Sequence, residues 1–599
     1  MQLTGDRFTN SSALMGNDLA TLPDFPAEIR APAGTLAGVS AFQVQVSDHD
    51  ITTPGDAPNV LVAMNPAALR SQLDQVPTGA TIIANVDAFD DRSLAKAGYD
   101  IDPLHDGSLD AYTVYEVPMT SLTRGAVEHL GVKPRDAERS KNFFALGLLS
   151  WMYTRPVDRT LEWIEQRFGR SPQVAAANTA AFKAGHAFGE TAELFDHPYE
   201  IKPASLPAGT YTNITGNTAL AWGLIAASRM AGMPLFLGAY PITPASDLLH
   251  ELSKHRQFGV QTLQAEDEIA GIGAALGASY GGHLGVSTTS GPGMALKAET
   301  LGLAVSLELP LVVLDVQRGG PSTGLPTKTE QADLLMAFYG RHSEAPLPIL
   351  APRSPSHCFE VALEAVRLAV TWRTPVIVLS DGYLANGSEP WKLPELADLR
   401  PLDPRFATQP NHTGADGEAF WPYLRDPETL ARDWALPGTP ELMHRIGGLE
   451  KEDGSGNVSY DPANHERMVE LRAAKVAGIA DHIADVEVRG DVDDADILVL
   501  GWGSTWGAIE SAVTRVRSRG RKVASAHLVN LNPFPRNLGH ILESYPRVLV
   551  PEMNLGQLAH QLRAQYLVDV KTVSRVRGVP FTAAELEQAI VDHLEGLLL

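Results

Sequence analysis

The sequence predicts a multidomain α/β protein built on parallel sheets, and three observations predict it. Short continuous apolar runs recur, among them Asn59-Val-Leu-Val-Ala-Met64, Leu311-Val-Val-Leu-Asp315 and Asp496-Ile-Leu-Val-Leu-Gly-Trp502. Strands buried on both faces read as such runs rather than as alternation. Helical stretches separate the runs, the signature of strand–helix–strand units. The chain has 599 residues, and at roughly 150 residues per domain that is more than one core can organise.

Composition narrows the function. The net charge of −23 argues against nucleic acid as a partner, because phosphate binding needs a cationic face. No run approaches the roughly 20 apolar residues that span a bilayer, and Met1-Gln-Leu-Thr-Gly-Asp6 lacks the layout of a signal peptide. The single cysteine, Cys358, excludes an internal disulfide. It also excludes an Fe–S cluster ligated wholly within this chain, which takes about four thiolates. A cytoplasmic location is expected.

Residues 1–195 form the first unit. Phe42–Val46 alternates like a half-buried strand, and Asn59–Met64 and Thr81–Asn85 read as buried parallel strands. Within it, Asp24-Phe-Pro-Ala-Glu-Ile-Arg-Ala-Pro-Ala-Gly34 is a polar, Pro-rich loop carrying Glu28 and Arg30. A surface ion pair is the ordinary explanation of those charges; lining a ligand mouth is the functional one. Residues 196–212 are Pro-rich and nonperiodic, a linker. The second unit, 213–388, carries a helix at Ala219–Met230, a strand at Leu235–Ala239 and a helix from Glu268. Strand Leu284–Thr289, a helix over Met294–Leu307 and strands Leu311–Asp315 and Pro375–Ser380 complete it. Thr243, the Ser290-Gly-Pro-Gly293 turn and Arg318 all follow carboxyl ends of strands, where open α/β sheets bind ligands. Residues 389–490 read as an extended connector with one long helix whose Glu466–Arg472 stretch looks solvent-striped. Residues 491–599 are a third α/β unit, with strands at Asp496–Trp502, Lys522–Leu528 and Arg547–Glu552 and a helix from Trp506 to Arg517.

The chemistry concentrates between Tyr240 and Asp333. Glu266, Asp267 and Glu268 open a helix, where carboxylates complement the dipole. The helix continues Ala270-Gly-Ile-Gly-Ala-Ala-Leu-Gly-Ala-Ser279, and each interior Gly costs about 1 kcal/mol against Ala. Such glycines make sense where a ligand or another backbone comes close. Glu268 is then expected at a crowded, dry junction, between subunits, where desolvation favours a carboxyl that keeps or shares its proton. Thiamine diphosphate needs such a group to bond its aminopyrimidine. Glu268 lies nearest the small-residue run, so it is preferred to Glu266. Arg318 ends a strand and precedes Gly319-Gly320; its planar fork suits a carboxylate held by two bonds. Thr243, Ser322, Thr323 and Lys328 offer further donors. The competing reading of Arg318 is structural, tying down the Pro/Gly loop. Gly291-Pro-Gly293 is a tight turn with no phosphate-loop pattern around it. His283, His342 and His357 show no metal spacing, and no His/Asn arrangement in the sequence marks Cys358 as a nucleophile. No metal ligands are assigned.

These residues resemble the alpha subunit of 2-oxoacid:ferredoxin oxidoreductases in which gamma and alpha parts are fused, nearest to the 2-oxoglutarate-specific branch. The resemblance runs through Leu22–Gly34, Gly216-Asn-Thr218, Tyr240-Pro-Ile-Thr-Pro244, Glu266-Asp-Glu268, Thr289–Gly293, Arg318–Lys328, Gly501-Trp-Gly-Ser504 and Leu531-Asn-Pro-Phe-Pro535. It implies a gamma-type domain, then a pyrimidine-binding domain of the thiamine diphosphate fold, and a transketolase-C-like domain at the end. It implies that Glu268, with Pro241 and Ile242 in the neighbouring turn, contacts the cofactor. Thr243 and Arg318 would take the substrate's carboxylate, with Thr323, Lys328 or Arg30 for the distal carboxylate of 2-oxoglutarate. A separate beta subunit would bring the diphosphate site, Mg²⁺ and the Fe–S cluster, completing an (αβ)₂ heterotetramer. This chain has neither a Gly-Asp-Gly motif followed by Asn nor enough cysteines for them. The implied reaction joins a 2-oxo acid, coenzyme A and two oxidised ferredoxins to give acyl-CoA, carbon dioxide and two reduced ferredoxins. The family usually precedes Met1-Gln-Leu-Thr-Gly5 with a strand and a Gly-rich turn, so the first sheet is expected to lack an edge strand. Pyruvate or a branched-chain 2-oxo acid is the alternative substrate, and a non-catalytic scaffold subunit is the alternative class.

Overall fold

The structure, a computed structural model, describes residues 2–26, 31, 34–192, 198–414 and 417–597. The chain divides into two units, Met1–Asn213 with Ser388–Leu393, and Ile214–Gly387 with Pro394–Leu599.

In the first unit, helix Gln2–Leu14 precedes an antiparallel hairpin of Asp18–Asp24 and Ala41–Ser47. Three parallel strands follow in the order Val60–Ala63, Thr81–Asn85, Thr113–Val117. The turn after the first of them is encoded locally. Asn65 Oδ1 accepts the Ala68 N–H at 2.8 Å, and Pro66 sits in the first helical turn, where its missing N–H is not needed. Met64, Ile83 and Val117 of this sheet region pack on Phe144 and Leu148 of helix Lys141–Met152. One boundary differs from expectation. Ser388–Leu393 belongs with this unit: the Ser388 N–H donates to Thr21 Oγ1 at 2.8 Å, and Asn213 Nδ2 donates to Ser388 Oγ at 3.1 Å. The connector predicted from residue 389 therefore begins after a strand, Ser388–Lys392, whose partners lie far away in sequence.

The second unit is organised by a seven-stranded sheet. Its spatial order is Asn530–Asn532, Ile349–Leu350, Pro375–Asp381, Leu311–Gln317, Leu284–Thr289, Leu235–Ala239, Val260–Gln264. Every ladder is parallel except the first. Strands Leu284–Thr289, Leu311–Gln317 and Pro375–Asp381 are buried at every position, which is why they read as unbroken apolar runs. The antiparallel edge comes from the Leu531–Pro535 segment, where Asn532 Nδ2 donates to the Leu347 carbonyl at 2.7 Å. A second sheet, Val488–Gly490, Val523–Leu528, Ile497–Trp502, Val548–Glu552, Val570–Ser574, is parallel apart from its first strand. Val499, Ile509, Val513, Leu549, Leu586 and Ile590 share its core.

Two helical expectations change. The helix predicted over Met294–Leu307 is two helices, Gly291–Leu296 and Ala298–Leu307, parted at Lys297. Helix Pro462–Gly478, capped by Asp461 accepting the Ala463 N–H at 3.1 Å, shows the expected solvent stripe at Glu466, Arg467 and Glu470 but has a charged buried face as well. Arg472 and Lys475 are buried on it. Lys475 bonds Glu308, which Arg425 also grips with two bonds of 2.7 and 2.9 Å. This buried cluster pins the connector to the end of helix Ala298–Leu307.

Candidate functional site

The strands ending at Ala239, Thr289, Gln317 and Asp381 are neighbours in the sheet, so the turns after them meet at one edge. Arg318 leaves the Leu311–Gln317 strand nearly buried, and its Nη1 donates to the Thr243 carbonyl at 2.7 Å. The two residues singled out for a substrate carboxylate are thus together, although the contact uses the main chain of Thr243. Arg318 Nε is buried and has no protein acceptor. Burial draws the guanidinium's pKa below its ordinary value, with Asp333 opposing. Pro241 and Ile242 are half-buried in the same turn, and the Ile242 carbonyl accepts the Ser246 N–H at 2.9 Å.

Glu268 opens helix Glu268–Tyr280. The cap is Asp267, whose Oδ1 accepts the Ala270 N–H at 2.7 Å, so the dipole argument for the acidic triplet applies to Asp267 and leaves the Glu268 side chain for something else. That side chain lies over Gly293: a Cβ there would stand 2.7 Å from Glu268 Cγ and 3.2 Å from Oε1. The Gly-Pro-Gly turn is therefore a floor for the carboxyl. Lys297, fully buried, donates from Nζ to the main-chain oxygen of Glu268 at 2.8 Å. Burial pushes its pKa down to about 8, against the pull of Glu268 and Asp267.

The small residues of this helix divide between two faces. A Cβ on Gly238 would lie 2.1 Å from the Gly271 carbonyl oxygen, so the inner face seats the helix on its own sheet. The outer face, Ile269, Gly273 and Gly277, is exposed. Intrachain packing accounts for part of the glycine content that was expected to serve a junction between subunits.

Loop Gly319–Lys328 folds back on itself: the Leu325 N–H bonds the Gly319 carbonyl at 2.8 Å and the Gly319 N–H the Lys328 carbonyl at 3.0 Å. Thr323 is exposed on it, and Lys328, half-buried, packs its side chain beside Gly578. Neither joins the Arg318–Thr243 contact. Arg30 lies outside the described residues.

Two groups escaped the sequence reading. Asp315 is fully buried in the strand leading to Arg318, and its carboxyl faces that of Asp333. Burial first, and then the other carboxyl, raises the Asp315 pKa well above the carboxylate range; burial and Glu330 push Asp333 up to about 6. Asp333 also reaches the floor of the site, since a Cβ on Gly291 would stand 2.8 Å from its Oδ2. The other missed group is Gln331, held from the second sheet of this unit. Its Nε2 donates to the Trp502 carbonyl at 2.9 Å, and Asn554 Nδ2 donates to its main-chain oxygen at 2.8 Å. Only the Gly501-Trp-Gly-Ser504 motif hinted at that anchor.

Among the described residues no three or more His, Cys, Asp or Glu side chains are grouped as metal ligands. Nor is any helix among them long and apolar enough to cross a membrane.

Comparison with known proteins was consistent along the chain. Residues 227–459 match the family described as pyruvate flavodoxin/ferredoxin oxidoreductase, thiamine diP-bdg. Residues 1–188 match pyruvate ferredoxin/flavodoxin oxidoreductase, and 495–586 match pyruvate:ferredoxin oxidoreductase core domain II. The 2-oxoglutarate oxidoreductase subunit KorA of Mycobacterium tuberculosis is 59% identical over 598 residues, covering 100% of this chain and 90% of its own. The 2-oxoacid:ferredoxin oxidoreductase 1 subunit alpha of Aeropyrum pernix is 30% identical, with 80% of this chain and 75% of its own covered. Among solved structures, a 2-oxoglutarate:ferredoxin oxidoreductase from Magnetococcus marinus with 2-oxoglutarate, coenzyme A and succinyl-CoA bound superposes with a TM-score of 0.84. It is 31% identical, with 99% of this chain and 97% of that one covered.

Proposed function

The chain belongs to the 2-oxoacid:ferredoxin oxidoreductase family, and from that membership we propose how its site acts on 2-oxoglutarate. The enzyme is a thiamine-diphosphate-dependent 2-oxoglutarate:ferredoxin oxidoreductase. It converts 2-oxoglutarate and coenzyme A to succinyl-CoA and carbon dioxide while reducing ferredoxin. The observation that carries the site assignment is the convergence, at one sheet edge, of the Glu268 carboxyl over Gly293 with Arg318 on Thr243.

These residues fit the cofactor's pyrimidine end. Glu268 is relieved of capping by Asp267, half-buried, and floored by a residue without a side chain, so its carboxyl can bond a flat ring edge-on. Thiamine diphosphate, when bound, supplies the nucleophilic carbon and the electron sink for decarboxylation. The chain's own residues bind and orient. Glu268 would bond the aminopyrimidine of the cofactor, and Lys297, bonded to the Glu268 carbonyl, fixes the first turn of its helix. Arg318 takes the 1-carboxylate through the Nε–H that has no protein acceptor, a charge-assisted bond. Pro241 and Ile242 would help hold the cofactor's pyrimidine end, and Lys328, Thr323 or Arg30 would receive the distal carboxylate.

A beta subunit completes the enzyme in an (αβ)₂ heterotetramer, bringing Mg²⁺, the diphosphate site and an Fe–S cluster that passes electrons to ferredoxin. Apolar side chains close to Glu268 in the chain and beside Lys297, Ile269 and Leu296 at 52% exposure and Leu263 at 40%, are ones such a partner would cover. The single cysteine supports a reducing, cytoplasmic setting.

The test uses the complex with its beta subunit. The specificity constant for 2-oxoglutarate should exceed those for pyruvate and branched-chain 2-oxo acids. Arg318→Ala should raise the KM for 2-oxoglutarate about 10- to 100-fold, the loss expected of a charged hydrogen bond worth roughly 1.5–3 kcal/mol. An unchanged KM in Arg318→Ala removes Arg318 from the substrate site, and a preference for pyruvate overturns the substrate assignment.

A further inference from the structure

Asp315 has no evident place in a decarboxylation site, yet it is among the most enclosed charges of the sheet. It is 0% exposed, and neither of its oxygens meets an N–H or O–H donor. The group that acts on it is another carboxyl, that of Asp333, whose Oδ2 would stand 2.8 Å from a Cβ on Gly291, two residues past Thr289, the strand neighbour of Asp315. Two carboxylates cannot lie oxygen to oxygen in a dry interior; one must carry a proton and donate it to the other.

The surroundings are consistent with a single proton. The flanking strand end contributes Thr289 and Ser290, which are uncharged, and Asp333 touches Gly291 on the same turn. Asp381, at the end of the other flanking strand, is engaged separately by Thr329 Oγ1 at 3.0 Å and by the Tyr383 and Leu384 N–H groups. Glu330 faces Asp333 and accepts the Gly320 N–H at 3.3 Å. Glu268 and Lys297 lie beyond Gly293, at the far side of the same short helix. Arg318 is a cation whose charge acts on Asp333, and Gln317, the residue before it, holds the Asp333 main-chain N–H.

We infer that Asp315 and Asp333 share one proton and act as a positioning pair for Arg318, offering it a single negative charge so that its remaining charge is left for the substrate carboxylate. The inference rests on the reading of Arg318 as the substrate's anchor. With the proton in place, the pair steadies the guanidinium. Without it, two negative charges oppose the incoming 2-oxo acid, and the cost falls on binding rather than on turnover. The sequence order serves this: Asp315 sits three residues before Arg318 on the same strand end, and the main-chain N–H of Asp333 is held by Gln317 Oε1 at 3.1 Å.

The pair can be tested in the assembled enzyme by two readouts. Difference infrared spectra at neutral pH should show a protonated carboxyl band that Asp315→Asn abolishes. The KM for 2-oxoglutarate in the wild type should climb with pH, about tenfold per unit once the shared proton leaves, while Asp315→Asn, which needs no proton to face Asp333, should give a flat KM profile. If Asp315→Asn does not fold, Asp333→Asn gives the same two readouts at the less enclosed member. Absence of a carboxyl band sensitive to either variant overturns the shared proton. A KM profile identical in wild type and variant overturns its coupling to the substrate. The infrared band is independent of what Arg318 binds, so failure of the substrate reading itself appears separately, as an unaltered KM in Arg318→Ala.

Discussion

Glu268→Ala is expected to lower turnover of 2-oxoglutarate by about 10²–10⁴-fold, the usual contribution of a positioned acid–base group, with little change in the KM for the 2-oxo acid. The structure separates this from a folding defect. The helix that Glu268 opens is capped by Asp267 at 2.7 Å, and alanine is the best helix former. What the helix loses is one first-turn charge, worth about 0.3–1 kcal/mol. Glu268→Gln is the sharper probe, because it keeps the volume over Gly293 and can still donate to a ring nitrogen, but it cannot exchange a proton. It should bind thiamine diphosphate nearly as the wild type does and still lose most of its turnover. Steady-state rates of coenzyme A-dependent ferredoxin reduction, with calorimetric titration of the cofactor, check both halves. Wild-type turnover in Glu268→Ala would remove Glu268 from the chemistry altogether.

The parts of this site that could be read from sequence are those that announce themselves locally. Strands such as Leu311–Gln317 appear as apolar runs because both their faces are buried. Thr243, Gly291–Gly293 and Arg318 stand out because turn residues follow those runs. The missed residues are polar and charged groups whose burial depends on partners distant in the chain. Asp315 read as the polar end of a strand, and nothing near it in sequence shows that Asp333 comes to face it. Lys297 read as one position in a continuous helix; the structure parts the helix there, with the side chain returning to the Glu268 carbonyl across 29 positions. Arg472 fell in a stretch that looks solvent-striped because helix periodicity cannot see Glu450, which arrives from elsewhere. The division of the glycines between an inner and an outer face was equally invisible, since spacing says which residues are small but not which face meets the sheet.

Glu308→Ala should be the most destabilising single change outside the strands. Glu308 is fully buried and ends helix Ala298–Leu307 in the left-handed region, at φ 52°, where glycine or asparagine is usual. It stays there because it is the common anion for Arg425 and Lys475. Removing it leaves buried Lys475 without its carboxylate and Arg425 with Asp453 alone, at 3.4 Å, a loss of about 3–5 kcal/mol. Burial opposes its charge, but the two cations prevail and hold its pKa down to about 2. Because the folded pKa lies below that of an unfolded glutamate, about 4.3, the stabilisation is present above that value and is lost as pH falls toward 2. The wild type should therefore lose more stability over that interval than Glu308→Ala, whose denaturant midpoint is already lower at neutral pH. The exposed Asp481–Arg536 pair is the control: both side chains are more than half exposed, and Asp481→Asn should leave the midpoint in place. Equal midpoints for Glu308→Ala and wild type would show that the cluster contributes nothing to holding the connector, whatever its geometry.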